Sequence, residues 1–395
     1  MDLNFKFASI PHVIFGAGKL KELYEIIPNF GNNALLVVGG SSLKQSGKLD
    51  EITSVMQDKS INYSIISIDH EPSPAIIDQY AGDYRNKNIG VVIGIGGGSV
   101  TDAGKAISAM IPKTDSIENY LEGVGTKQHD GEKIPYIAIP TTSGTGSEAT
   151  KNAVISKIGP DGFKKSLRHD NLIPNYAIID PELMLSCPPS ISSACGMDAF
   201  TQLLEAYVSN NASPMTDALA YSGMKHMSRS LIKACTTGAS DVKVRADVAY
   251  GSLMSGITLA NAGLGIVHGL ASPVGGFFDI PHGVVCGTLL AEATKMNIKK
   301  LQESGSSGEM GLKKHAKIGA LLKGKEHVEP DEVDHYCKVL INTLDEWTEK
   351  LKINRLGSYS IRHDDVDKIV DSASLKNNPV NLSKEEIRSI ILNRI

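Results

Sequence analysis

The chain has 395 residues, of which 41% are hydrophobic and 21% charged, so it is long enough for two globular domains with substantial cores. Its formal net charge of -4, without clustered Lys or Arg, gives no electrostatic basis for binding nucleic acid or an anionic membrane, and we expect a small-molecule partner. The five cysteines are widely spaced and form no CxxC pair, which predicts neither a disulfide framework nor a thiolate metal site and favours a reducing compartment, the cytoplasm.

The first half of the chain alternates short apolar runs with helical patterns. Strands are predicted over 34–38, 63–68 and 90–95, and helices near 43–57, near 75–86 and from about 99. This rhythm indicates βαβ units and a parallel sheet. Further strands fit the apolar runs at 135–140, 153–158 and 175–180.

Beyond about residue 184 only helical periodicity remains, over 197–209, 213–235, 243–262, 331–352 and 384–394. We therefore predict an α/β domain over 1–183 and an all-helical domain over 184–395. The stretch between Asp247 and Asp279 contains no charged residue, yet its glycines and polar residues favour a buried pair of core helices over a span that faces lipid.

Two polar loops leave predicted strands of the α/β part. In "GIGGGSVTDAGKA" the residues Gly96, Gly97, Gly98 and Ser99 open a helix, which is the context in which backbone N–H groups bind a pyrophosphate. A tight turn without a ligand is the alternative reading. A Walker-type phosphate loop is disfavoured, because the spacing from Gly98 to Gly104 is one residue too long and Ala106 follows the lysine.

The second loop, "IPTTSGTGSEAT" at 139–150, offers hydroxyl donors at Thr141, Thr142, Thr145 and Ser147. Alone it reads equally well as a turn rich in Ser and Thr. Two such loops at strand ends of one domain favour a cofactor crevice.

Two histidines lie in the least charged part of the chain, and each is followed by a glycine that would leave room for a ligand. Either His268 or His282 alone is more simply a buried histidine with satisfied nitrogens, whereas the pair suggests a transition-metal site. The helix at 197–208 carries Asp198, Gln202 and Glu205 on one face. Spacing leaves open whether that face meets solvent or a ligand.

Taken together, "GGGSVTDAGK", "PTTSGTGSEAT", "GMDAFTQLLEAYVS" and "HGLASPVGGFFDIPHG" resemble the iron-containing (group III) alcohol dehydrogenase family, over nearly the whole chain. The resemblance implies a nucleotide-binding α/β domain, a helical domain and an active site in the cleft between them. It also implies hydride transfer between an alcohol, or its aldehyde or ketone, and a nicotinamide cofactor, assisted by a divalent metal such as Fe²⁺. Homodimers are usual in the family.

The resemblance also assigns individual residues. The pyrophosphate loop would be Gly96, Gly97, Gly98, Ser99 and Asp102, the second cofactor loop Thr141, Thr142 and Thr145, and the lysine lining the cofactor site Lys164. The metal ligands would be Asp198, Gln202, His268 and His282. Gln202 stands where the family has a histidine, and Ser272 stands where the family has a proton-relay histidine; the amide oxygen of Gln202 favours Fe²⁺, Mn²⁺ or Mg²⁺ over zinc.

NADP(H) is predicted to be preferred over NAD(H), because Gly39 stands where NAD-specific relatives carry an aspartate for the ribose 2′-OH. Gly40, Ser41 and Ser42, with Lys44 nearby, could hold a 2′-phosphate. Three other functions stay open at this point: a metal-free carbonyl reductase of the same superfamily, a dehydroquinate-synthase-like lyase that uses the nicotinamide transiently, and a nucleotide-binding module without catalysis.

Overall fold

A computed structural model describes residues 4–395. Eight strands lie in this part of the chain: β1 His12–Phe15, β2 Asn33–Gly39, β3 Asn62–Ile68, β4 Val91–Gly96, β5 Tyr136–Pro140, β6 Asn152–Lys157, β7 Phe163–Arg168 and β8 Tyr176–Ile179. Six of them form one sheet in the order β1-β8-β5-β4-β2-β3, and every pairing in it is parallel. The predicted parallel sheet and five of its strands are confirmed.

The strand predicted at 153–158 is confirmed, but it lies outside the parallel sheet. This segment is β6, and it pairs antiparallel with β7 in a separate two-stranded sheet, where Ala153 faces Leu167. Only residues 158–162, with two glycines and a proline, connect the two strands. So short a connection permits a hairpin and not the crossover that a parallel pair requires. The short β1 and the whole of β7 were not predicted.

Helices cover both faces of the parallel sheet. They are α1 Leu23–Ile26, α2 Ser42–Gln45, α3 Lys48–Asp58, α4 Pro74–Tyr84 and α5 Gly98–Met110. The single helix predicted at 43–57 is two helices, because Gly47 adopts the left-handed conformation with φ of 72° between them. Separate hydrophobic clusters pack on the two faces, one around Val92 and Ile107 and the other around Ile93 and Ile52.

The rest of the chain is helical, as predicted. The helices are α6 Pro189–Val208, α7 Pro214–Ala234, α8 Val242–Ala262, α9 Ile266–Phe277, α10 His282–Glu303, α11 Glu309–Leu322, α12 Val333–Lys350, α13 Val366–Ser372 and α14 Lys384–Leu392. Their largest shared hydrophobic cluster is centred on α6, where Phe200 packs edge-on against Trp347 at a ring-centroid distance of 4.9 Å. The boundary between residues 183 and 184 stays a prediction.

The stretch without charges forms α9 and most of α8, and its side chains are largely buried. Within residues 4–395 no single helix has the length and apolarity to span a membrane. The α8–α9 pair passes that test of length and composition together, with a bend of 99° between the two helices.

Candidate active site

A cleft of about 780 Å³ lies between the parallel sheet and the helical part of the chain. The sheet side contributes Gly98, Ser99, Asp102, Thr145 and Lys164, and the helical side contributes Asp198, Gln202, His268, Ser272 and His282. Residues predicted from four separate motifs thus line one volume. Clefts of this size, at the carboxyl end of a parallel sheet, are the usual sites of small-molecule ligands in α/β folds.

The glycine loop connects β4 to the N-terminus of α5, where backbone N–H groups lack helical acceptors. It packs directly on the threonine loop that follows β5. A Cβ atom at Gly98 would lie 2.6 Å from Thr145 Cγ2, and one at Gly97 would lie 3.4 Å from Thr142 Oγ1. Glycine is therefore required at residue 98 so that the two loops can pack against each other. Both loops then lie at the N-terminus of α5, where an anion is favoured.

Two charged residues of the glycine motif point into the protein and hold the threonine loop. The Lys105 ammonium is fully buried and donates to the carbonyls of Ser147, Thr150 and Asn152 at 2.7, 2.9 and 2.8 Å. The Ser147 hydroxyl donates to the buried Asp102 carboxylate. Burial raises the pKa of Asp102 to about 6, against the opposing effect of Lys105. The lysine of this motif is thus a structural residue and does not bind phosphate.

Lys164 lies at the mouth of the cleft in an ion pair that the sequence did not indicate. Its Nζ is 2.9 Å from Glu71 Oε2, and Ser99 Oγ is 3.5 Å from the other oxygen of the same carboxylate. Glu71 comes from the loop after β3, so no local pattern connects it to the glycine loop. The Ser272 hydroxyl donates to the Lys164 carbonyl at 2.8 Å, which ties α9 to β7.

The polar face of α6 is buried and points inward, which answers the question that spacing left open. Asp198 Oδ1 lies 3.2 Å from His268 Nε2 and 3.5 Å from His282 Nε2. The three side chains come from α6, α9 and α10. Burial would raise the pKa of Asp198, but the two imidazoles outweigh it and lower the pKa to about 2, so this carboxylate stays ionised.

Glu205, two helical turns after Asp198, fixes the orientation of His268. Its Oε2 lies 2.7 Å from His268 Nδ1, and its Oε1 accepts from the Val267 N–H at 2.7 Å. A carboxylate on one imidazole nitrogen directs the other nitrogen toward a metal and raises its basicity. The sequence placed Glu205 on the same face as Asp198 but gave it no role.

Gln202 also lies beside the cluster, and both its amide nitrogen and its amide oxygen have hydrogen-bond partners. Its Nε2 donates to Asp198 Oδ2 at 3.1 Å, and its Oε1 lies 2.8 Å from the Ser255 hydroxyl, whose one proton is shared with the Ser252 carbonyl at 2.7 Å. The reversed amide would put an oxygen against an ionised carboxylate, so this assignment is the favourable one. The amide oxygen, which would have to bind a metal, is therefore turned toward α8.

Cys286 is a fourth donor that the cysteine spacing gave no reason to expect. Together with Asp198, His268 and His282 it forms a cluster in which one ligand atom from each residue lies within 4.8 Å of the others. Cys286 is one turn after His282 on α10, and this i, i+4 spacing was the available signal. Burial raises the pKa of this thiol to about 12.

The glycines after the two histidines do not leave room for a ligand, contrary to the sequence argument. A Cβ atom at Gly269 would collide with the Ser374 carbonyl, and one at Gly283 would collide with the Ala194 carbonyl. Nearby, the Asn378 side chain accepts a hydrogen bond from the Ile266 N–H at 3.2 Å, at the start of α9. The glycines thus let backbone segments pack closely around the histidines.

The remaining predicted cofactor residues lie outside the wall of the cleft. Gly96, Gly97, Thr141 and Thr142 are at the strand ends behind the two loops, with the Thr141 N–H donating to the Gly96 carbonyl at 2.9 Å. The loop of Gly39, Gly40, Ser41 and Ser42 follows β2, and Gly40 to Ser42 are exposed. A Cβ atom at Gly40 would lie 2.5 Å from Asp69 Oδ1, so this loop has a carboxylate beside it that the sequence did not reveal.

Replacing Glu205 by glutamine is expected to weaken metal binding by about 10 to 100-fold, the usual cost of losing a carboxylate that orients a ligating histidine. Titration calorimetry on Glu205→Gln with Zn²⁺ measures the change. Glu303→Gln, at an exposed position of α10, is the control. Equal affinities of Glu205→Gln and the parent would contradict the orienting role.

Comparison with known proteins agrees with this arrangement. The family model "Iron-containing alcohol dehydrogenase" matches residues 11–181, and its C-terminal counterpart, "Fe-containing alcohol dehydrogenase family, C-terminal", matches residues 192–395. Long-chain-alcohol dehydrogenase 1 of Geobacillus thermodenitrificans is 38% identical over 287 residues, which cover 72% of this chain and 71% of that protein. Alcohol dehydrogenase 4 of Saccharomyces cerevisiae is 31% identical over 387 residues, covering 96% of each.

Among solved structures, the iron-containing alcohol dehydrogenase of Thermotoga maritima superimposes with a TM-score of 0.81 at 26% identity, covering 99% of both chains. The two family matches together span most of the sequence, from the first strand to the last helix. The chain therefore belongs to the iron-containing alcohol dehydrogenase family, whose chemistry is the nicotinamide-dependent interconversion of alcohols and carbonyl compounds.

Proposed function

We propose that this chain interconverts an alcohol and its aldehyde or ketone, using NADP(H) in preference to NAD(H) and a divalent metal bound at Asp198, His268 and His282. The observation that carries the proposal is that the glycine loop and this donor cluster line the same cleft. A cofactor bound at the loop and a substrate bound at the cluster would share one cleft, as hydride transfer requires.

The donor set fits a divalent transition metal, since it combines a buried ionised carboxylate with two imidazole nitrogens. When bound, the metal supplies Lewis-acid polarisation of the substrate oxygen. The protein residues supply the rest: Glu205 holds His268 in place, and Asp198 provides the negative charge that retains a cation. Leu259, Leu264 and Val284 contribute apolar surface to the wall of the cleft.

We assign Ser99, Asp102, Thr145 and Lys164 to the cofactor, with Gly96, Gly97 and Gly98 shaping their loop and Thr141 and Thr142 supporting it. Lys164 carries positive charge near the helix N-terminus, and its pairing with Glu71 holds it at the cleft. Ser272 is assigned to the substrate side of the cleft. Since its proton goes to the Lys164 carbonyl, only its oxygen lone pairs remain for a water or substrate.

The basic test is turnover by the purified protein with a panel of aldehydes, both reduced cofactors and a measured metal content. Stoichiometric oxidation of the cofactor by an aldehyde supports the proposal. Release of a cyclised product without net cofactor oxidation would indicate the lyase instead, and cofactor binding without turnover on any compound would indicate a nucleotide-binding module.

Both NAD-dependent and NADPH-dependent relatives match this chain, so the cofactor preference depends on the loop after β2. This loop has no acidic residue between Gly39 and Ser42, and the Ser41 and Ser42 hydroxyls can donate to a phosphate. Asp69 acts in the opposite sense, because its carboxylate adjoins Gly40 and would repel a 2′-phosphate. The proposal is that the loop donors and Lys44 outweigh this one exposed carboxylate.

Replacing Gly39 by aspartate is expected to shift the ratio of kcat/KM values toward NADH by at least about tenfold, which corresponds to about 1.4 kcal/mol. A Cβ atom at this position makes only an ordinary contact, 3.5 Å from Val100 Cγ2, so the fold accommodates the change. Asp69→Asn should shift the ratio toward NADPH. Gly82→Asp adds the same charge at an open position of α4 and is the control. A parent enzyme that uses NADH as well as NADPH would contradict the proposed preference.

We also propose a homodimer in the cytoplasm. The dimer is proposed because homodimers are usual in the family. The cytoplasm is proposed because the five cysteines of the sequence are unpaired. Sedimentation equilibrium measures the first, and fractionation of the source cells tests the second. A monomer at all concentrations would contradict the dimer.

A further inference from the structure

The metal cluster contains a sulfur atom that the family's ligand pattern does not include. Cys286 Sγ lies 3.6 Å from His268 Nε2 and 3.7 Å from His282 Nε2. These are the nitrogens that also approach Asp198 Oδ1, at 3.2 and 3.5 Å. One oxygen, two nitrogens and one sulfur thus lie within 4.8 Å of one another.

These separations match the edges of a tetrahedral zinc site. With bonds of about 2.0 Å to oxygen and nitrogen and about 2.3 Å to sulfur, tetrahedral angles put O and N about 3.3 Å apart and N and S about 3.5 Å apart. The two observed O to N distances are 3.2 and 3.5 Å, and the two N to S distances are 3.6 and 3.7 Å. Four side chains from three helices therefore already stand at ligand spacing.

Cys286 closes the cluster on the side away from the cleft. Asp198, His268 and His282 line the cleft, whereas Cys286 does not and is fully buried. A ligand at this position completes the protein's share of the coordination, so a substrate oxygen approaching from the cleft would be a fifth ligand. The thiol has no other partner competing for it, since its contacts are to the cluster itself.

Gln202 stands where the family has a histidine. In its present orientation its side-chain amide cannot act as a metal ligand. Its oxygen is held by Ser255 and its nitrogen, which carries no lone pair for a metal, is directed at Asp198. The loss of an imidazole on α6 and the presence of a thiol on α10 thus occur in the same cluster.

We propose that the Cys286 thiolate is the fourth protein ligand of the metal, replacing the imidazole absent at residue 202, and that the site consequently prefers Zn²⁺ over Mn²⁺ and Mg²⁺. Gln202 is a positioning residue that orients Asp198. This inference rests on the metal cluster of the proposed function. Metal binding displaces the thiol proton to solvent, and a soft thiolate donor favours zinc over the harder ions that an amide oxygen would favour.

The test uses Co²⁺ as a spectroscopic probe of the purified protein after its metal has been removed by a chelator. Cobalt bound through a thiolate absorbs in the near ultraviolet by sulfur-to-metal charge transfer. We expect this absorption in the parent, in Gln202→Leu and in Cys195→Ser, the last being a cysteine of the same cleft. We expect it to be absent from Cys286→Ser and from Cys286→Ala, whose folding is checked by circular dichroism.

Affinities provide the second measurement. Cys286→Ser should lower the Zn²⁺ affinity by at least about 100-fold, because losing a ligand costs no less than losing a residue that orients one, and should change the Mn²⁺ affinity much less. Cobalt binding without charge transfer, together with unchanged Zn²⁺ affinity in Cys286→Ser, would overturn the inference and leave the metal-assisted function intact. Failure of the parent to bind any divalent ion would overturn both.

Discussion

Removal of the metal by dialysis against a chelator is expected to lower kcat for aldehyde reduction by more than about 100-fold, and re-addition of a divalent ion should restore it. Lewis-acid polarisation of the substrate oxygen contributes several kcal/mol to such reactions, and about 2.8 kcal/mol already corresponds to a factor of 100. The measurement is steady-state turnover before chelation, after it, and after addition of each ion in turn.

Matched variants distinguish activity lost with the metal from activity lost through disruption of the fold. His268→Ala should behave like the chelated parent and should not respond to added ions, because its imidazole is central to the cluster. His363→Ala, at an exposed position that does not line the cleft, should be indistinguishable from the parent. Full activity of the chelated parent, unchanged by any ion, would show that the polar face of α6 binds substrate directly, as in the metal-free alternative.

Replacing Lys105 by methionine is expected to lower the free energy of unfolding by about 3 to 5 kcal/mol, the cost of leaving buried charged and polar partners uncompensated. The ammonium of Lys105 is the shared donor to three carbonyls of the threonine loop and lies near the buried Asp102 carboxylate. Urea unfolding followed by circular dichroism measures the loss. Lys299→Met, on the exposed face of α10, should change stability by less than about 0.5 kcal/mol.

A milder variant covers the case in which Lys105→Met does not fold. Thr150→Val removes one oxygen that accepts from Lys105 at 3.0 Å, and should cost about 1 kcal/mol. The pH dependence gives an independent signature. Burial lowers the pKa of Lys105 from 10.5 to about 8, so between these values the unfolded chain binds a proton that the folded chain does not. The stability difference between parent and Lys105→Met should therefore widen as pH rises through this window, and a constant difference would contradict the assigned role.

Much of the fold could be predicted because it follows from local periodicity. The buried parallel strands are continuous apolar runs and the later helices have a clear 3.6-residue pattern, and both signals are contained in a few consecutive residues. The choice of which strands pair with each other is not determined by such local patterns. The segment at 153–158 has the same apolar character as β5 and joins another sheet, because its partner is set by the short connection to β7.

The candidate site likewise combines residues that local motifs identify with distances that only tertiary packing determines. The histidines and Asp198 could be recognised through their motifs, but their distances depend on how α6, α9 and α10 pack. Ser255, which turns the amide of Gln202 away from the cluster, is 53 residues from it in sequence. Glu71 is 93 residues from its partner Lys164. Cys286 is the exception, since its i, i+4 spacing from His282 lies within five consecutive residues.

The contacts of α9 with the segment at 374–378 join parts of the chain that are synthesised at different times. The first N–H of this helix is held by Asn378, and the glycine after His268 packs on the Ser374 carbonyl, more than 100 residues further along the chain. On the ribosome, α6, α9 and α10 all emerge before that segment does. These two contacts beside His268 can therefore form only after residue 378 has been synthesised, when the whole chain of the parallel sheet has already been made.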